Sequence, residues 1–196
     1  MLLYNNKLSG NCYKVRLLFA QLGIEYERRE VDVFGPRRAD LLEELNPALR
    51  VPTLVLDDGR PLAESNAILF YFAQDTPYLP EDRYERAQVL QWLFFEQYSH
   101  EPYIAVARFW TLAGISPSPE ALEEKLRGGK AALKALDRYL SEREFLVAER
   151  YSIADIALYA YSHVAREGRF DLHPYPALRE WLGRVAAQPG HVPMDA

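Results

Sequence analysis

Residues 51–72 constrain this chain more than any other stretch. Val51-Pro52-Thr53 leads into Leu54-Val55-Leu56. Asp57-Asp58-Gly59 follows, and then Arg60-Pro61-Leu62. An Asp-Gly pair between two short runs of this kind predicts a tight turn joining antiparallel strands. Directly afterwards, Glu64-Ser65 precedes Ala67-Ile68-Leu69-Phe70-Tyr71-Phe72, where the Ser65 hydroxyl is placed to cap a helix. An X-Pro bond, a hairpin and a helix start thus fall close together. Such a combination can grip a small anion that carries backbone-like amides of its own.

The first 75 residues alternate strand and helix signals. Leu2-Leu3-Tyr4 reads as a short strand, and Val15, Leu18, Phe19 and Leu22 mark one buried helix face that Gly23 stops. Residues 26–33 read as a second strand, with Val31 and Val33 on one face. A short helix over 39–45 ends before Asn46-Pro47, because the residue before proline avoids the helical region. The order is βαβ, a helix, then ββα, which predicts a thioredoxin-like α/β domain with a mixed four-stranded sheet over 1–75.

Residues 76–82 carry two prolines and no periodicity, and they read as a linker. From Arg83 to Ala196 the signals are helical and predict an all-α bundle. A long helical stretch over 83–113 should bend near Pro102, which cannot donate to the helix ladder. Ser118-Pro119 starts the next helix, whose core side is marked by Leu122, Leu126, Leu133, Leu136 and Leu140. Ser152-Ile153-Ala154-Asp155 has the spacing of a capping box, with Tyr151 and Ile156 as a hydrophobic staple.

The chain's 196 residues are 49% apolar and 13% aromatic, a globular composition. A net charge of −5 argues against a nucleic-acid partner. Cys12 is the only cysteine, so no internal disulfide can form, which fits a cytoplasmic protein. The opening residues lack a signal-peptide pattern, and no apolar run is long enough to span a bilayer, so no membrane partner is expected. The four histidines show no metal-ligand spacing, and no phosphate loop is present.

Taken over essentially its whole length, this pattern resembles the glutathione transferase superfamily, of the bacterial theta-, zeta- or beta-like kind. The quoted residues that carry the likeness are Val51-Pro52, Glu64-Ser65, the loop Ser9-Gly10-Asn11-Cys12 and the Ser152/Asp155 box. The resemblance implies an enzyme with glutathione as co-substrate and no metal. It also implies a small hydrophobic electrophile or peroxide as second substrate, met between the domains, and a homodimer. Ser9 matches the catalytic serine of theta- and zeta-like members, and Asn11 falls where beta-class enzymes carry a cysteine. Either side chain can donate to the glutathione sulfur and help hold it as a thiolate, against a free-thiol pKa of about 8.5.

Dithiol exchange of the thioredoxin type is excluded, since Ser9-x-x-Cys12 offers one thiol only. Cys12 itself, one turn into the helix, reads as structural. The likeness further implies a cis Pro52, with the Val51 backbone pairing to the cysteinyl part of glutathione as an added strand would. Ser65 would take the γ-glutamyl carboxylate and Glu64 its ammonium. Arg50, with Arg37 or Arg38, are candidates for the glycyl carboxylate. At helical spacing part of the aromatic run from Trp92 to Trp110 must be core; the rest would supply an electrophile wall and an interface, with Gln97 or His100 reaching toward a partner's glutathione. Two other readings stay open: a zeta-like isomerase, and a non-catalytic scaffold of the stringent-starvation or elongation-factor kind.

Overall fold

The computed structural model describes residues 1–35 and 38–196. Two compact units emerge, one of Met1–Gln74 with Pro189–Ala196, the other of Asp75–Gln188. In the first, strand β1 (Leu2–Asn5) leads to helix α1 (Gly10–Leu22), β2 (Glu27–Glu30), a short α2 (Arg38–Leu42), the hairpin β3 (Thr53–Val55) and β4 (Pro61–Ala63), and α3 (Ser65–Phe72). The sheet order is β2-β1-β3-β4. β1 and β2 run parallel, and the other two pairs are antiparallel. This is the mixed four-stranded α/β architecture that the sequence predicts.

Alternation along β1 builds the two faces of the sheet. Leu3 joins Val15, Phe19, Leu54 and Ile68 in a core that α1 and α3 cover. Its neighbour Tyr4 points the other way, to Val31 and Leu42. Gly23 ends α1 in the left-handed conformation at φ 65°, its N–H bonding back to Ala20 and Phe19 carbonyls. β2 is shorter than the expected 26–33, and its four residues are exposed because it is an edge strand made of charged residues. Val31 continues only as far as one further bond to the Asn5 carbonyl, at 2.7 Å.

The last eight residues, assigned from sequence to the helical domain, pack instead within the first unit. Tyr13 donates to the Val192 carbonyl at 2.7 Å. Arg16 donates to the carbonyls of Met194 at 2.7 Å and Ala196 at 3.1 Å. The segment carries no helical periodicity of its own, so these side chains of α1 decide where it lies.

The second unit contains α4 (Arg83–Phe95), a π turn over Glu96–His100, α5 (Glu101–Leu112), α6 (Pro119–Leu140), α7 (Ile153–Ser162), a short 3-10 turn (Ala165–Gly168) and α8 (Pro176–Ala186). The expected bend appears as the π turn just before Pro102, where the missing N–H lets the ladder widen. The Glu101 N–H accordingly bonds to the Glu96 carbonyl, five residues back. Among the described residues no helix is long and apolar enough to cross a membrane.

Every residue of α7 is buried, and its capping box forms as the sequence predicts. Asp155 accepts from Ser152 N at 2.9 Å, Ser152 Oγ at 3.1 Å, Leu146 N at 3.1 Å and Trp181 Nε1 at 2.9 Å. Burial pushes its carboxyl from the ordinary 3.8 up to about 6, against the pull of these donors. Tyr151 packs edge-on to Tyr78 and Phe145. On α6, Gly128 and Gly129 permit close approach. A Cβ on Gly129 would lie 2.3 Å from the Phe170 ring, and one on Gly128 would lie 2.2 Å from Tyr103.

These contacts make three substitutions informative for stability. Gly129→Ala should cost about 1–3 kcal/mol by urea denaturation, since fully buried Phe170 cannot yield. Gly128→Ala should cost less, because half-buried Tyr103 can swing aside. Asp155→Ala should cost about 3 kcal/mol at neutral pH by stranding several buried donors. The raised folded-state pKa makes the Asp155 contribution largest below about pH 4, and it fades as pH rises through about 6. The stability gap between wild type and Asp155→Ala should therefore widen as pH falls through that window, and a gap that narrows would contradict the sign.

Candidate functional site

The loop from Asn5 to Ser9 and the first turn of α1 form one side of the site. Ser9 is the N-cap of α1, and its Oγ accepts from Cys12 N at 3.3 Å. Its own N–H bonds to the Asn6 carbonyl at 3.0 Å, which fixes the cap. A hydroxyl that accepts at a cap keeps its proton for donation elsewhere, so capping and ligand contact are compatible roles. Asn11 lies one residue inside the helix and is partly exposed. Nearby N–H groups at this helix start favour negative charge.

Cys12 is fully buried, and its Sγ accepts from Asn6 N at 3.3 Å. Burial pushes its thiol up to about 11, only partly offset by hydrogen bonds from Asn6 and Ser9. It is therefore a neutral structural side chain and not a nucleophile.

Facing this loop is the start of α3. The helix begins at Ser65, and Glu64, not Ser65, is its N-cap. This corrects the expectation of a Ser65 cap. Glu64 sits at φ 65° and ψ 112°, a region costly for a non-glycine residue, by about 1–3 kcal/mol. Its side chain makes no capping bond and is exposed. The Ser65 hydroxyl is consequently released from capping. It donates to Asn11 Oδ1 at 3.3 Å and accepts from Lys14 Nζ at 3.3 Å. Lys14 also donates to Asn66 Oδ1 at 3.4 Å, and it is 0% exposed.

The third part is the bend before β3. The Val51-Pro52 bond is cis. The β3 ladder starts at Thr53, which leaves Val51 outside the sheet pairing. The preceding carbonyl, of Arg50, is held by Asn46 Nδ2 at 3.0 Å and Thr53 Oγ1 at 2.8 Å. Buried Asn46 thus pins the turn from below. The Arg50 side chain is exposed, as is that of Arg38, which donates to the Val33 carbonyl at 3.2 Å. Arg37 lies outside the described residues.

The structure brings Asn11 and Ser65 into direct contact, with Ser9 two residues before Asn11. One sequence expectation for the aromatic helices changes. His100 is fully buried, with Nε2 2.9 Å from Ser162 Oγ, so it cannot reach a partner. Trp92 is one of the run's core members, buried and packed edge-on against Phe95 and Tyr139. Lys14 is the residue that sequence reasoning missed. Its signal was a lysine on the inner side of a helix, between Cys12 and Val15, where a solvated side chain has no room.

Comparison with known proteins bears on the family and the fold. Residues 8–75 match the glutathione S-transferase N-terminal domain, and residues 97–189 match its C-terminal domain. The chain is 31% identical to the disulfide-bond oxidoreductase YfcG of Escherichia coli K12, over 91% of this chain and 87% of that protein. It is also 31% identical to glutathione S-transferase 2 of Anopheles gambiae, over 93% and 88%. A glutathione S-transferase structure from Pseudomonas fluorescens Pf-5 superposes with a TM-score of 0.96 at 48% identity, covering 98% of each chain. With both domain families matched in order over most of its length, the chain belongs to the glutathione S-transferase superfamily.

Proposed function

We propose that the protein is a glutathione transferase that holds the glutathione sulfur as a thiolate for attack on a small hydrophobic electrophile. The reading rests on the Ser65–Asn11 hydrogen bond, which joins the sulfur-facing loop to the carboxylate-facing helix start. Glutathione would pair its cysteinyl amides with the Val51 backbone at the open end of β3, as an added strand does. Its γ-glutamyl carboxylate would meet Ser65 and the N-terminal amides of α3, with Glu64 taking the ammonium. Arg50 is the candidate for the glycyl carboxylate.

The sulfur then lies at the N-terminus of α1, beside Ser9 and Asn11. Donors and helix dipole stabilise the thiolate, so the proton leaves to solvent before attack. The thiolate forms the new carbon–sulfur bond as the leaving group departs with its electron pair. With a peroxide, the same sulfur would bond to one oxygen as the O–O bond breaks and the other oxygen leaves as an alcohol on taking a proton; a second glutathione then displaces water from the sulfenic acid and leaves glutathione disulfide.

A second reading, thiol-disulfide exchange, is favoured by the likeness to the Escherichia coli oxidoreductase. Cys12 is buried and neutral, so the reacting sulfur would again be that of glutathione. A glutathione thiolate would cleave the substrate disulfide to a mixed disulfide, and a second glutathione would release the remaining thiol. The substrate is reduced to two thiols, and two glutathiones are oxidised to one disulfide.

The protein would work as a homodimer. Leu90, Phe94 and Tyr98 follow one another at spacing four on one side of α4 and the π turn, and Phe94 is 70% and Tyr98 84% exposed. A second copy of the chain is the occupant that the family resemblance implies for this stripe, and light scattering after gel filtration should report a dimer.

The deciding measurement is a pH titration of thiolate absorbance for bound glutathione. A pKa about two units below that of the free thiol is expected, and an unshifted thiol would remove the transferase reading. Cys12 gives an independent check. A thiol reagent at neutral pH should leave it unmodified in the native protein and label it once the chain is unfolded in denaturant. Rapid labelling of the native protein would overturn its structural assignment.

A further inference from the structure

A cleft of about 310 Å³ lies in the first unit, between α1, the start of β2 and the C-terminal segment. Strand β2 is one edge of the sheet, whereas the cis bond before Pro52 leads into β3, on the far side of β1. None of the described residues argued for glutathione lines the cleft. Its volume is at the lower end of the range for small-molecule sites, enough for a compact ligand. Ile24, Val192 and Pro193 form an apolar wall, while Arg16, Tyr26 and Arg28 bring polar ends. Tyr26 and Arg28 are two apart, so strand alternation turns both toward the side of the sheet that α1 covers. The Tyr26 ring accordingly packs edge-on to Phe19 of α1, with centroids 5.1 Å apart. Among the described residues no carboxylate side chain lines the cleft. Glu30, the next residue on that face of β2, accepts instead from Asn5 Nδ2 and Lys7 N.

Donors at this cleft exceed the acceptors that the protein supplies. Arg16 gives bonds to the carbonyls of Lys7, Met194 and Ala196, yet its Nε is buried without a hydrogen-bond partner among the described residues. Exposed Arg28 donates through Nη1 to the Ala196 oxygen at 3.0 Å, one bond from a fork of five donors. The half-buried Tyr26 hydroxyl is bonded to no described residue. The two guanidiniums also repel each other. Burial lowers the pKa of Arg16, and the like charge of Arg28 adds to that, against the opposing influence of Cys12, Tyr26 and Glu30. An anion beside the two arginines relieves the repulsion and takes up unspent donors.

We propose that this cleft is a second binding site, for a small organic carboxylate with an apolar body. Arg28 and the Tyr26 hydroxyl hold the carboxylate, and the charge of Arg16, only 4% exposed and so little screened, stands behind them. Ile24, Val192 and Pro193 cover the rest of the ligand. The site is independent of the reading of the protein as a transferase.

The test uses phenylacetate as probe and phenylacetamide as its neutral counterpart of nearly the same shape. Phenylacetate titrated into isotopically labelled protein should move the backbone amide NMR signals of Ala20, Ile24, Arg28 and Val192. Phenylacetamide should bind at least about tenfold more weakly, since it forfeits the charge-assisted bonds. Arg28→Gln, a change at an exposed residue, should weaken phenylacetate about tenfold and leave phenylacetamide nearly unaffected. Equal affinity for the two probes overturns the proposal, and so does wild-type affinity for phenylacetate in Arg28→Gln. Shifts confined to residues outside the cleft, the loop around Ser9 and the start of α3 included, also overturn it. The absence of any shift at millimolar phenylacetate does the same.

Discussion

The first unit depends on the burial of one helix. From Cys12 to Phe19 every residue of α1 is buried, a condition that ordinary amphipathic helices avoid on at least one side. Apolar members of that run fill the core under the sheet. The others, Cys12, Tyr13, Lys14 and Arg16, must find partners inside the protein, since a buried polar group without one costs several hydrogen bonds' worth of stability. Each does so in a different direction. Cys12 meets the Asn6 amide, Lys14 the start of α3, and Tyr13 and Arg16 the carbonyls of the C-terminal segment. The need to satisfy one buried helix thus gathers the first loop, the third helix and the end of the chain around it.

The second unit solves the same problem with a carboxylate. Helix α7 is buried along its whole length, and Asp155 collects donors from its own cap, from Leu146 and from the indole of Trp181 on α8. The arrangement locks three segments together through a single side chain. It also explains why a residue so strongly shifted is no catalytic candidate: its oxygens are already occupied by structural donors. A shifted pKa marks a constrained group, and only its surroundings say whether the constraint serves folding or chemistry.

Much of this was legible in the sequence, and the failures share a cause. The hairpin could be read because Asp57-Asp58-Gly59 carries its own turn chemistry, and the capping box because Ser152 and Asp155 sit within one turn. The Val51-Pro52 bend and the bend at Pro102 were equally local. What sequence could not give were long-range polar partners. Ser65 reads as a cap when only its neighbours are considered. In the fold Glu64 takes that place at a strained φ, and Ser65 is turned to residues some fifty positions away. His100 reads as a pocket histidine until Ser162, far along the chain, is found beside it. The C-terminal segment has no periodicity, so nothing in it announces that Tyr13 and Arg16 will hold it.

The same distinction bears on which side chain would serve a bound sulfur. Ser9 and Asn11 are equivalent donors on paper, but the fold treats them differently. The Ser9 oxygen accepts from the Cys12 amide, and its hydroxyl lies beside the Cys12 thiol, from which it can turn to another acceptor. The Asn11 amide is bonded through Oδ1 to the Ser65 hydroxyl, which also accepts from Lys14. Stabilisation of a developing charge is most effective when the dipole is aimed before the charge arrives, because nothing then has to reorganise. Under the proposed function, a side chain that the fold already holds, as Asn11 is held by Ser65, meets that criterion more closely than a hydroxyl that can turn, as that of Ser9 can. A transferase site of the kind proposed would have a use for both properties, one side chain held by the fold and the other able to turn with the sulfur.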